Sequence, residues 1–331
     1  MQWTDRIGRR VKLRDLHVFL AVAQAGSMAK AAERLSISQP VVSRTISELE
    51  HAVGVQLLDR TFQGVEPTAY GRALIKCGAA VFDDMRRGVQ DIEFLSDPTV
   101  GELRVGATST LADGLIPEAL RQLVARYPRM SFNAVEGDSP VLAQLLRERK
   151  LDVVVSRTWG SKYGEEFAAE FLFKESMSVI AGLRNPWSRR RKVDFEELSD
   201  QSWVLPELDT LFGVLIGEVF RHAGLRLPTA RVVSSSMALR KRLLESGQFL
   251  TILSSSFLHF GTNHLHFKAL PVTLPMKPQP IEIISLRGRT PNPITSLFIQ
   301  ELRTLVEPLT KREDNTGNLD RKAIVADRRT R

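Results

Sequence analysis

One cysteine, three tyrosines and the lack of any long apolar run define what this 331-residue chain does without. Cys77 alone cannot form an intramolecular disulfide, which fits a reducing compartment, and a lone helical cysteine is read as packing. No apolar stretch approaches the roughly 18 residues of a membrane span. The first residues, with Arg6, Arg9, Arg10 and Lys12, show no secretory apolar region. The expectation is a soluble cytoplasmic protein with no membrane partner. Walker-type glycine loops, G-x-S-x-G and H-E-x-x-H are also missing. His259, His264 and His266 lack an acidic or cysteine ligand at a suitable spacing, so neither a metal nor another cofactor is expected.

What is present is enough apolar sequence, 43%, for sizeable cores in two or three domains. The net charge of +8 suits an anionic partner, but it is divided. Residues 1–76 carry +4 and the last 21 carry +3, so charge is only consistent with a DNA-binding head. Arg189-Arg190-Arg191-Lys192, after Pro186, reads as a solvated loop.

Residues 27–50, SMAKAAERLSISQPVVSRTISELE, carry the strongest pattern. Ser27 can cap a helix in which Met28, Ala31, Ala32 and Leu35 form an apolar stripe. Ser36-Ile37-Ser38 breaks it, and Ser38 can cap a second helix that tolerates Pro40 in its first turn. Val42, Ile46, Leu49 and Val53 form that helix's buried stripe. Gln39, Pro40, Ser43, Arg44 and Ser47 lie on a neighbouring face, and all but the proline can hydrogen-bond a base edge or phosphate. Leu16, Phe19, Leu20 and Ala23 supply a third helix upstream. Residues 55–65 read as a strand, glycine turn and strand, a small wing.

This run resembles the LysR-type transcriptional regulators, whose pattern A-A-E-x-L, S-Q-P-x-V-S-x-x-I-x-x-L-E and G-V-x-x-T is matched almost throughout residues 31–68. Pro67 and Tyr70 depart from it, in places where the family more often has Leu and Ala. The resemblance implies that Gln39, Pro40, Ser43 and Arg44 face bases or backbone of double-stranded DNA, and that Arg60, in the wing, contacts phosphate; Lys30 is placed on phosphate with it. It further implies a homo-oligomer, typically a dimer of dimers, a small-molecule effector and action on RNA polymerase.

From Thr68, which can cap a helix, to about Leu95, Leu74, Val81, Phe82, Met85, Val89 and Ile92 recur at helical spacings. A helix of that length with no core of its own is expected to pair with a second copy, as the family's linker helix does. Ser96-Asp97-Pro98-Thr99 breaks it, giving a hinge over 96–100. Strands then alternate with helices: 102–107, 115–127, 131–136, 141–150 and 151–156 form a βαβαβ unit, which argues for a parallel sheet. A second unit has strand candidates at 176–181, 202–205, 231–234 and 248–253, with helices over 211–222 and 237–245. Pro271, Pro275, Pro278 and Pro280 punctuate a return to a strand at 281–286 and a helix at 294–306.

The fold class expected is α plus α/β. A winged helix-turn-helix spans 1–67, a linker helix 68–95 and a two-subdomain effector domain 101–309. The resemblance makes that domain periplasmic-binding-protein-like, with subdomain I at about 101–172 and 271–309 and subdomain II at about 173–270. Residues 310–331 and roughly the first ten read as disordered.

The cleft between the subdomains is the natural ligand site, because strand ends and helix starts converge there. Ser109 and Thr110 follow the first strand, Ser139 opens the next helix, Arg157 and Thr158 follow the third strand, and Pro206 ends a strand opposite. Hydroxyls with one arginine suit a small organic anion, and the family leans towards sugars or aromatic acids. The rival reading is an enzyme or small-molecule-binding protein on the α/β portion with an accessory helical head. The sequence leaves open the effector, the operator and target genes, activation against repression, and dimer against tetramer.

Overall fold

The computed structural model describes residues 10–61, 64–157 and 164–309, without the side chain of Arg60. Thr158, residues 1–9 and the expected tail from 310 lie outside the described residues. The chain separates into two compact units that part between Val89 and Gln90.

In the first unit, helices α1 (Leu13–Ala25), α2 (Met28–Leu35) and α3 (Gln39–Val53) close over Phe19, Val22, Ala31, Val42, Ile46 and Leu49. Ser27 caps α2, its Oγ accepting from the Lys30 amide at 3.4 Å. Ser38 precedes α3 but its side chain caps nothing, a correction to the sequence reading. Pro40 has no N–H to give, and the Val41 amide already donates to the Ser38 carbonyl. Ser36 ends α2 in the left-handed conformation, φ +54°.

Strands β1 (Leu58–Thr61) and β2 (Gly64–Pro67) form the antiparallel wing. Glu50 of α3 fastens its base, Oε1 accepting from the amides of Leu57 at 2.8 Å and Leu58 at 3.2 Å. Gly64 has φ +137°, and a Cβ there would stand 2.3 Å from the Gly26 carbonyl oxygen, so the wing's approach to the end of α1 requires glycine.

Helix α4 (Ala69–Ser96) starts at Thr68, whose Oγ1 accepts from the Gly71 amide at 3.0 Å. The expectation that this helix has no core of its own is corrected in its first half. Leu74, Val81 and Phe82 are half-buried against the helix-turn-helix core, and the Phe82 ring lies 5.6 Å from that of His17. Met85, Val89, Ile92 and Leu95 are exposed. Cys77 is also exposed, so the packing role expected for it is corrected: the residue falls on the outward side of α4.

Among the described residues, the second unit holds two main sheets and a short two-stranded pair. The larger has the order β4 (Arg129–Glu136), β3 (Val100–Ala107), β5 (Val153–Arg157), β12 (Gln279–Leu286), β6 (Phe167–Glu175). β3 runs parallel to β4 and β5, as the βαβαβ pattern demands, while β12 is antiparallel to both its neighbours. The expected parallel sheet is therefore mixed, because β12 re-enters from the other subdomain. Strand β6 carries no sequence assignment; it is an edge strand, with Glu170 and Lys174 breaking its apolar run. Helices α5 (Ser109–Asp113), α6 (Leu115–Arg126) and α7 (Ser139–Arg147) follow the parallel strands. The closing helix α10, residues 293–309, lays Ile294, Phe298, Leu302 and Val306 on Leu103, Val105, Val153 and Ile281.

The chain crosses from Glu175 straight into β7 (Met177–Gly182). That strand is the centre of an antiparallel trio with β10 (Leu250–Ser254) and β11 (Phe267–Ala269), the last also without a sequence assignment. A short parallel pair, β8 (Val204–Leu205) and β9 (Val232–Val233), stands beside it, with helices α8 (Leu211–His222) and α9 (Met237–Glu245). Buried Trp203 meets Phe220 edge-on at 5.5 Å and donates Nε1–H to the Leu198 carbonyl at 2.9 Å. A second crossing, through the proline-punctuated stretch after Ala269, returns the chain to β12. Among the described residues no helix is long and apolar enough to cross a membrane.

Candidate functional site

Two surfaces hold the candidate residues. On the first unit, α3 turns its apolar stripe inward and leaves Gln39, Pro40, Arg44 and Ser47 exposed, with Ser43 half-buried and Lys30 exposed on α2. Pro40 starts the helix without wasting an N–H, so the amide-rich first turn and Gln39 stand at its outer end. Arg44 is not idle: Nε donates to Glu48 Oε1 at 2.8 Å, and that hydrogen bond and charge raise its pKa from the ordinary value. Ser47 Oγ donates back to the Ser43 carbonyl at 3.1 Å. Arg60 stands in β1, with its side chain outside the described residues.

On the second unit, a cavity of about 440 Å³ opens where the two subdomains meet. That volume falls in the range of small-molecule pockets. Ser109, Thr110, Ser139, Arg157 and Pro206 all line it, so the structure brings these five sequence candidates together. Ser109 and Thr110 are half-buried, and their hydroxyls make no hydrogen bond among the described residues. Ser139 is buried, its Oγ 3.3 Å from Ser156 Oγ, so it serves the floor. Opposite, Thr210 caps α8 by accepting from the Gly213 amide at 3.0 Å, which sets the loop that presents Pro206 and Asp209.

The floor is charged. Buried Arg157 donates Nη2–H to Glu175 Oε2 at 2.8 Å and to Ser254 Oγ, and its guanidinium carbon lies 5.4 Å from the centre of the Phe212 ring. Glu175 also accepts from Ser256 Oγ through Oε1. Burial lowers the Arg157 pKa against the opposing pull of Glu175. Arg240, 2% exposed, donates through Nη2 to Thr251 Oγ1 at 2.6 Å and to the Ile252 carbonyl at 3.0 Å. Burial pushes its pKa down to about 10, with the Glu207 charge opposing.

Sequence reasoning missed Arg240, Glu175, Ser254 and Phe212. A signal for Arg240 existed. Met237 and Leu244 mark the buried face of α9, and Arg240 sits on that stripe at i+3, where an isolated cation is anomalous. Glu175 had none, since it ends a strand that the pattern did not reveal. Among the described residues, no group of His, Cys, Asp and Glu is arranged to hold a metal.

Comparison with known proteins places both surfaces in context. Residues 13–72 match the family described as bacterial regulatory helix-turn-helix protein, lysR family, and residues 96–307 match the LysR substrate binding domain. The HTH-type transcriptional regulator PcaQ of Agrobacterium fabrum is 26% identical over 297 residues, covering 90% of this chain and 96% of that protein. The transcriptional activator protein LysR of Escherichia coli is 32% identical over 170 residues, covering 51% of this chain and 54% of its own. A full-length OxyR variant from Pseudomonas aeruginosa shares the fold at TM-score 0.64 and 24% identity, covering 88% of this chain and 95% of that one. Full-length CbnR in complex with its target DNA shares it at TM-score 0.62 and 23% identity, covering 89% and 100%. With one family match over its head and another over most of its remaining length, this chain belongs to the LysR family of DNA-binding transcriptional regulators.

Proposed function

We propose that the protein controls its target operons in response to a small molecule, an organic acid or a sugar, held in the cleft between the two α/β subdomains. It acts as a regulator and not as an enzyme. The observation that carries this reading is the coexistence, in one chain, of a helix-turn-helix with an open polar face and a 440 Å³ cavity lined by Ser109 and Thr110, whose hydroxyls have no partner among the described residues. Ligand binding shifts the population of subdomain arrangements, and the oligomer conveys that shift to DNA and RNA polymerase. Gln39, Pro40, Ser43, Arg44 and Ser47 contact bases and nearby backbone, and Lys30 and Arg60 contact phosphate. Exposed Met85, Val89 and Ile92 on α4 join two copies, and two such dimers make the tetramer.

The test has two steps. Selection from fragmented genomic DNA identifies the operator, and the transcriptional response to candidate metabolites is then followed at that promoter. Thr110→Val keeps shape and removes a donor, so it is expected to leave operator affinity unchanged while the response needs about ten-fold more inducer. An unshifted dose-response in both Thr110→Val and the cleft-narrowing Ser109→Leu would move the ligand site elsewhere.

A further inference from the structure

The buried charges of the cleft do not balance. Arg157 and Glu175 neutralise one another at 2.8 Å. Arg240 has no carboxylate at ion-pair distance among the described residues. Glu207 influences it only from an exposed position, where its Oε2 accepts from Ser235 Oγ. Among the described residues one positive charge is thus enclosed without a buried partner, an expensive arrangement unless something else supplies the anion.

Hydrogen bonding points the same way. A guanidinium carries five N–H donors, yet among the described residues both arginines bond only through Nη2, so each keeps further donors without a protein acceptor. Both groups are anchored on the same strand, Arg157 at Ser254 and Arg240 at Thr251 and Ile252, although Arg157 comes from β5 of one subdomain and Arg240 from α9 of the other. Leu111, Phe212, Val214 and Ile281 line the rest of the cavity with apolar surface. Exposed Asp138 and Asp209 also line it.

We propose that the ligand of this cleft is a small organic acid bearing a single carboxylate, its charge set against Arg240 and Arg157 and its apolar body against Phe212 and Leu111. This specifies the chemistry of the effector site proposed above and rests on that reading. A neutral sugar leaves the Arg240 charge uncompensated. A dicarboxylate carries a second negative charge towards Glu175, Asp138 or Asp209 and is disfavoured.

The experiment measures thermal unfolding and calorimetric titration of the full-length protein at fixed ionic strength. The probes are hexanoate and benzoate, their neutral amides, the dianions succinate and phthalate, and galactose. The monocarboxylates are expected to raise the unfolding temperature by mass action, the amides and galactose to leave it unchanged, and the dianions to bind more weakly. Arg240→Gln is expected to raise the monocarboxylate Kd by about ten-fold or more. The paired change Arg157→Gln with Glu175→Gln, which leaves no stranded carboxylate, should do likewise. If Arg240→Gln does not fold, Arg240→Lys, which keeps charge but loses the planar fork, is the readout and should weaken binding less. Equal stabilisation by an acid and its amide, or none by any acid, overturns the proposal. Stabilisation by galactose or an amide that Ser109→Leu abolishes overturns the acid class but leaves the cleft as the effector site. Acid binding that survives Ser109→Leu and both arginine variants overturns the cleft reading as well.

Discussion

Lys241 Nζ lies 3.0 Å from Asp113 Oδ1, tying α9 of the second subdomain to α5 of the first. Asn263 Nδ2 donates to the same carboxylate at 3.0 Å, so one residue of the first subdomain is held by two of the second. The side chains keep 29% and 19% of their exposure, so water screens part of the attraction. Asp113→Asn is expected to cost about 1 kcal/mol, a fall of about 2–4 °C in unfolding temperature. The deficit should shrink in 1 M salt, where the Debye length is about 3 Å. Thermal unfolding at low and high salt checks both; a salt-independent deficit would assign the loss to Asn263.

Asp152 gives the second prediction. It is buried, and accepts from the Arg104 amide at 2.9 Å, from Arg104 Nη2 at 2.9 Å and from Arg289 Nη2 at 2.7 Å. Burial alone would raise its pKa, but the hydrogen bonds and charges of the two arginines prevail and lower it. A carboxyl depressed when folded contributes stability above its unfolded pKa, about 3.9, and loses it as pH falls through the folded value. Asp152→Asn is therefore expected to cost about 3–5 kcal/mol at neutral pH, because it removes the buried negative charge that both guanidinium groups face. Urea unfolding as a function of pH should show the gap to the unaltered protein closing only below about pH 4.

The two halves of α4 should respond oppositely to charge. Val81→Glu places a carboxylate against the helix-turn-helix core and is expected to destabilise that head by about 2 kcal/mol or more. Val89→Glu falls on exposed surface, so the fold should survive while self-association fails. Circular dichroism with sedimentation velocity separates the cases. Unchanged mass for Val89→Glu would place the dimer contact elsewhere.

Arg44 must exchange its bond with Glu48 for one with DNA if it reads a base. Arg44→Ala should lower operator affinity by about ten-fold or more and relax preference at one base position. Glu48→Gln should raise affinity for all sequences, because it removes a negative charge from the same face. Titrations of operator and scrambled DNA at fixed salt distinguish these outcomes.

The helical head was legible because its local signals agree: the stripe of α3 reads straight from Val42, Ile46 and Leu49, and Ser27 caps as its position suggests. Strand β6 was not, since an edge strand exposes residues such as Glu170 and Phe171 and lacks clean alternation. Its pairing with β12 joins residues about a hundred positions apart, which no local window can see. In the cleft, hydroxyls beside strand ends betrayed Ser109, Thr110 and Ser139. The partnership of Arg157 with Glu175 and Ser254 depends on three strands meeting, and is visible only in three dimensions.

The two crossings have a consequence for biosynthesis. Between Glu175 and Gln279 the second subdomain is an insertion within the first, whose sheet and core wait for β12 and α10. As the chain leaves the ribosome, β7, β10 and β11 are complete while β5 still lacks its neighbour β12. The inserted body is thus expected to reach its native packing first, since domains form in order of synthesis. A nascent chain halted near residue 275 should expose the edge of β5, where capture by chaperones or by other nascent chains is most expected.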